Sequence, residues 1–182
     1  MALERWGFDL AHSSVSFWVR HLMVSKVHGR FTTWKGSLDF DENQPATARL
    51  NIEIDAVSID TREPQRDAHL RSPDFFDVAK YPLITFTSTG ATPRGTGRFQ
   101  VQGDLTIHGT TRPVTLDVEY AGRVKDPWGG ERAGFSARTA INRKDFGLMW
   151  NQLVEGGGLV VDDKVEISIE AEAVRNPSPA KT

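Results

Sequence analysis

Apolar and polar residues alternate with a period of two along most of this chain. Leu50, Ile52, Ile54 and Ala56 alternate with Arg49, Asn51, Glu53 and Asp55. Val165, Ile167, Ile169, Ala171 and Ala173 alternate in the same way with Glu166, Ser168, Glu170 and Glu172. Successive side chains of a strand point to opposite faces, so each run predicts a strand with one dry and one wet face. Shorter copies recur at Val15, Phe17 and Val19, at Phe99, Val101, Leu105 and Ile107, at Val114, Leu116, Val118 and Tyr120, and at Phe135, Ala137, Thr139 and Ile141. Turn-forming clusters separate these runs, among them Asp41 to Pro45, Gly90 to Gly97, His108 to Pro113 and Asp126 to Gly130. About eight strands joined by short turns predict an antiparallel sandwich or barrel. One-sided alternation favours a single sheet curled on itself, because closure removes exposed edges. Periodicity by itself leaves both open.

One segment breaks the alternation. Around residues 62–77 the pattern becomes helical, with Thr61 placed to cap it and Pro64 tolerated in the first turn. Ser72-Pro73 then restarts a short turn that carries Phe75 and Phe76. Two adjacent phenylalanines beside a barrel can plug one end or merely cover a seam between strands.

Composition narrows the classes. Hydrophobic residues make up 38% of the 182 residues, enough to bury a core and too many for a disordered chain. A formal net charge of -2 supplies no basic footprint for nucleic acid. With no cysteine, disulfides and thiolate chemistry are excluded. The opening Met1-Ala2-Leu3-Glu4-Arg5 lacks the pattern of an export signal, and no run reaches the roughly 18 apolar residues of a membrane helix. The chain as it stands is expected in the cytoplasm, or in the periplasm if an export signal was removed.

Catalytic and metal signatures are sparse. His12, His21, His28, His69 and His108 form no H-x-H or H-E-x-x-H pair. There is no nucleophile elbow, and Gly156-Gly157-Gly158 reads as a hairpin or mouth loop, not as a phosphate cradle. Glu53, Asp55, Asp117, Glu119, Glu166, Glu170 and Glu172 read as a solvated outer face. Asp67 and His69 are the one acid and base pair that an enzyme reading can name. The aromatic residues are the richer signal. Small residues at the inward positions Ala56, Gly103, Ala137, Ala171 and Ala173 leave room among them for a small cavity.

An ordered series of motifs resembles the YceI-like family. His12-Ser13-Ser14-Val15-Ser16-Phe17-Trp18-Val19-Arg20-His21-Leu22 is similar to its opening. Ser58-Ile59-Asp60-Thr61, then Arg66 to Asp77 (RDAHLRSPDFFD), resembles its most distinctive stretch. Pro82 to Phe86, Gly103 to Val114 and Arg143 to Leu148 follow in order, so the resemblance runs from about Trp6 to Val174.

The resemblance implies an all-β, lipocalin-like antiparallel barrel of about eight strands, with residues 1–175 as one domain beside the helical insertion already read; residues 176–182, rich in Pro, Ser, Ala and Lys, read by composition as a disordered tail. It implies a polyisoprenoid or fatty-acid-like ligand inside the barrel, binding in place of catalysis, and a homodimer; no cofactor, metal or catalytic residue is expected. Many family members are exported; that feature is not carried over. The expected apolar pore comprises Phe17, Val19, Phe31, Ile52, Ile54, Leu70, Phe75, Phe76, Phe86, Leu105, Phe135, Phe146 and Trp150. Arg20 and His21, at the end of an inward-reading strand, are the expected head-group contacts. A chain in such a pore gains about 0.8 kcal/mol per buried methylene, so affinity needs no polar anchor. Two other readings remain: a structural or stress-related barrel without ligand, and an isomerase or hydrolase with an internal acid and base.

Overall fold

The computed structural model describes residues 3–152 and 160–176. Its eleven strands form one sheet, antiparallel throughout: β1 Glu4–Phe8, β2 Ser14–His21, β3 Ser25–Phe31, β4 Trp34–Phe40, β5 Arg49–Asp55, β6 Ile59–Asp60, β7 Leu83–Pro93, β8 Arg98–Ile107, β9 Thr110–Lys125, β10 Glu131–Asn142 and β11 Val161–Arg175. The first six are halves of interrupted strands. β1 and β2 lie one after the other along β11, with Phe8 opposite Ala173 and Ser14 opposite Glu170. β4 and β3 run back along that pair, and β5 and β6 run along those. Three interrupted staves and the five strands β7 to β11 thus make a closed eight-stave, up-and-down barrel. The sequence expectation of a barrel holds, and the sandwich is excluded.

Two of the three interruptions are short 3-10 turns. Between β1 and β2 the Asp9 carboxylate accepts from the Ala11 amide and caps a short 3-10 turn, Leu10–His12. The ladder resumes where Glu172 N–H donates to Ser13 Oγ. A second turn, Ala56–Ser58, separates β5 from β6. β9 and β10 slip by one residue beside Gly134, opposite Gly122 at φ 104°, a bulge only glycine fills without strain.

Inward positions follow the period-two reading. The main core gathers Val15, Phe31, Ile54, Ile84, Phe86, Leu105 and Leu116 from six different staves. A smaller cluster of Trp6, Leu38, Phe40, Ala133 and Ala173 fills one end, called here the aromatic end. At the other end, the helix end, α1 (Pro64–Arg71) and the turns after it lie across the barrel, with Phe76 edge-on to Phe31 at 6.0 Å.

Some boundaries differ from the expectation. Glu63 caps α1, accepting from Gln65 N and Arg66 N, because Pro64 takes the first helical position. Thr61 instead donates its amide and hydroxyl to the buried Asp67. The turn after β8 is only His108-Gly109, and Pro113 lies within β9. Asn176, first residue of the expected tail, donates its amide to the Arg5 carbonyl. Residues 177–182 and Gly156-Gly157-Gly158 lie outside the described residues.

Gly103 lets the Phe86 ring lie across β8; a methyl there would overlap that ring and the Thr87 carbonyl. Gly103→Ala is therefore expected to cost about 1–3 kcal/mol of stability in urea unfolding. Phe86→Leu in the same chain should recover part of that loss. Simple additivity would show that the ring is not the obstacle.

Candidate site: an apolar cavity inside the barrel

The barrel is not filled from end to end. Between the aromatic cluster and the helix end lies a cavity of about 240 Å³. Strand alternation builds its wall. Val15, Phe17 and Val19 come from β2, Leu50, Ile52 and Ile54 from β5, and Val165, Ile167, Ile169 and Ala171 from β11. Among the residues on this wall only Ser16, Thr139 and Arg143 are polar. Such a wall excludes ordered water, which needs two to four polar partners, and suits hydrocarbon.

The expected pore residues divide. Phe17, Val19, Phe31, Ile52, Ile54, Phe86, Leu105 and Phe135 line the cavity from the strands, and Leu70, Phe75 and Phe76 line it from the helix end. The insertion therefore faces the cavity as a plug. Phe146 is buried in the core behind the wall. Trp150 packs against Phe75, with centroids 5.4 Å apart, and edge-on to His69 at 4.7 Å. Neither lines the cavity.

Arg20 and His21 also lie off the wall. Arg20 follows the inward Val19, so alternation turns it outward, where its guanidinium sits 5.9 Å from the Trp18 ring. His21 has inward parity, but it is the last residue of β2, opposite Ser25 and Val161, and beyond the wall. Among the small inward residues, Ala137 and Ala171 border the cavity. Ala56 and Ala173 are covered by neighbours, and Gly103 lies beneath Phe86.

The cation on the wall is Arg143, only 3% exposed. It stands where β10 ends in a 3-10 turn capped by Asn142. Its Nη1 donates to the carbonyls of Leu148 at 2.6 Å and Trp150 at 2.8 Å, and its Nε to the Asp162 carbonyl at 2.9 Å. Burial pulls its pKa below the ordinary arginine value, while Asp163 and Asp162 oppose that. Its Nη2 reaches the Val161 carbonyl at 3.4 Å and Asp163 at 3.5 Å, so with its fork spent on four carbonyls Arg143 ties the segment after β10 to the start of β11. Sequence reasoning sees Arg143 and Lys144 only as strand-end cations before Phe146 and prefers Arg20 and His21, because a strand-end arginine looks like a solvated one. Its buried neighbours Phe146 and Leu148 were the available signal.

The aromatic end is sealed by charge as well as by rings. Arg123 lies over the Trp6 ring at 5.2 Å and pairs with Glu4 at 3.1 Å and with Glu131. Arg175 pairs with Glu131 at 3.0 Å. Tyr120 stacks on Phe135 and donates its hydroxyl to Glu42. Burial, then that carboxylate, pushes the phenol pKa up to about 12.

The acid and base pair of the enzyme reading does not meet. Asp67 is held by Thr61, while His69 bonds Asp74 at 2.8 Å. On the outer surface Asp9, His12 and Glu172 bring ligand atoms within 4.8 Å of one another. Arg132 already bridges two of them, at 2.8 Å from Asp9 and 2.6 Å from Glu172. A metal ion would have to displace that guanidinium.

A model of the YceI-like domain matches residues 6–173. A UPF0312 protein of Vibrio campbellii is 43% identical over 157 residues, covering 86% of this chain and 81% of the relative. The crystal structure of Burkholderia cenocepacia BcnA superposes with a TM-score of 0.81 at 27% identity, over 91% of this chain and 98% of that one. A polyisoprenoid-binding domain from Saccharophagus degradans superposes with a TM-score of 0.65 at 17% identity, over 96% and 99%, a likeness of fold.

Arg143→Met should strand buried carbonyls and lower the unfolding free energy by about 2–4 kcal/mol, read from the denaturant midpoint. Lysine should recover little, lacking the fork. An unchanged midpoint would mean that the carbonyls find other donors. In a Tyr81→Phe background, the phenolate absorbance of Tyr120 should titrate near about 12, above the ordinary 10.0. A phenol pKa raised by folding adds stability below the unfolded value and loses it as pH climbs from 10.0 towards 12. A midpoint at 10.0 would place the ring in water.

Proposed function

Because the chain belongs to the YceI-like domain family, we propose that its barrel binds one long-chain apolar or amphiphilic ligand, polyisoprenoid or fatty-acid-like, for storage or transport. The observation that carries this reading is the cavity: about 240 Å³ of space walled almost entirely by hydrocarbon. Each methylene buried against such a wall supplies about 0.8 kcal/mol before the costs of association. Chain burial, not a polar anchor, is then the source of affinity.

The ligand's polarity follows from the wall. Arg143 spends its donors on backbone carbonyls, so an anionic head gains little by lying beside it. The chain enters the cavity and its head stays at the helix end, since the aromatic end is closed by Trp6, Tyr120, Phe135 and the Glu4, Arg123, Glu131 and Arg175 cluster. The name of the Saccharophagus domain supports an isoprenoid as the first chain to try.

Native mass spectrometry of freshly purified protein, followed by solvent extraction, tests this reading. One long-chain lipid per barrel is expected. Ala137→Trp, which puts an indole into the cavity, should melt within a few degrees of wild type and take up an isoprenoid alcohol or fatty acid at least tenfold less well. Bare wild-type protein that takes up neither compound would instead favour a barrel with a structural role.

A further inference from the structure

The hairpin joining β2 to β3 carries apolar residues where folding does not ask for them. Val24 N–H donates to the His21 carbonyl at 3.1 Å, and the two residues between, Leu22 and Met23, have φ of 51° and 62°. Positive φ at both central positions is the geometry for which Asn-Gly is favoured. The turn between β8 and β9 has the same signs and places Gly109 second. At the β2–β3 tip the strained positions hold two large aliphatic side chains, and neither is buried in return. Leu22, Met23 and Val24 are 41%, 58% and 82% exposed.

The residues behind the tip are cationic and aromatic. Arg20 and Lys26 face each other directly across the two strands, and both are exposed. Both also stand over the Trp18 ring, at 5.9 Å and 4.2 Å from its centre. Like charges opposite one another on a ladder repel. Among the described residues no carboxylate pairs with either, and the nearby Glu166 is held by Lys164 at 2.9 Å. An anion between the two cations would relieve that repulsion.

We propose that the Leu22–Val24 tip docks this protein on an anionic lipid surface, with the aliphatic side chains below the headgroups and Arg20 and Lys26 on lipid phosphates. The order outward along the hairpin is that of an interfacial anchor: Trp18 and the cations at headgroup depth, then a purely aliphatic end. Lysine and arginine stems reach along such a surface while their charges stay wet. The tip is convex, so it suits insertion into a fluid layer better than a fitted protein contact. It also stands at the rim of the cavity, since His21 pairs with Val161, a residue of the cavity wall. Docking stands on the tip and its cations, whether or not the cavity holds a chain.

Flotation with phosphatidylcholine vesicles, with and without phosphatidylglycerol, tests the proposal on the whole chain. Wild type should float with the anionic vesicles and lose binding as salt rises. The L22N/M23G double variant replaces the aliphatic tip with the residues its turn favours, so it should fold at least as well and bind at least tenfold more weakly. R20Q/K26Q should weaken binding to the anionic vesicles by roughly tenfold to thirtyfold. Trp128→Ala, at the exposed turn of the opposite end, should bind like wild type. Wild-type protein that does not float with anionic vesicles overturns the proposal, as does undiminished binding by a folded L22N/M23G variant. So does loss of binding in Trp128→Ala alone. A tip variant that turns a dimer into a monomer, with no vesicle binding by wild type, would make the tip a contact between copies.

Discussion

The hydrogen-bonded seam between the first stave and β11 is the constraint on which the rest of this structure depends. β11 pairs with β10 along one edge and with β1 and β2 along the other. Without that second edge the sheet would expose a long row of unpaired backbone groups, and the apolar face would have no inside. With it, every inward position meets others from across the ring. The seam tolerates its own interruption because Asp9 and Ser13 supply side-chain oxygens where the backbone ladder breaks.

Closure also sorts polarity along the barrel axis. Charges that share inward parity occur at the aromatic end, where Glu4 and Arg123 are near enough to water to form a network over Trp6. Nearer the middle the wall is almost all hydrocarbon, apart from Ser16, Thr139 and one arginine. Arg143 is tolerated because its donors meet carbonyls that the end of β10 leaves without ladder partners. The interior is therefore a dry compartment with a polar seal at one end and a helical plug at the other. That arrangement favours a ligand held by its chain.

Much of the inward set was legible in the sequence. Alternation named the cavity-facing residues of β2, β5, β8, β9, β10 and β11, because side-chain direction on a strand is a property of the local backbone. The insertion at 62–77 was legible too, from Pro64 and the loss of alternation, although its cap proved to be Glu63. The turn clusters contain the turns, but two were too long: Gly90 to Pro93 still belong to β7, and Pro113 continues β9 because it lacks only a donor that position does not need.

What the sequence by itself determined is which side chains point inward and where the chain turns. Tertiary structure alone decided which inward residues surround empty space. Ala137 and Ala171 border the cavity, whereas Ala173 is covered beside Trp6 and Ala56 is packed into the core. These alanines are alike in type and parity. They differ in what the stagger of the closed ring sets opposite them, a relation between residues far apart in the chain. The same holds for Arg143, buried, and Arg20, exposed, both near the ends of strands. Local backbone geometry sets the direction of a side chain, but only closure sets its neighbours.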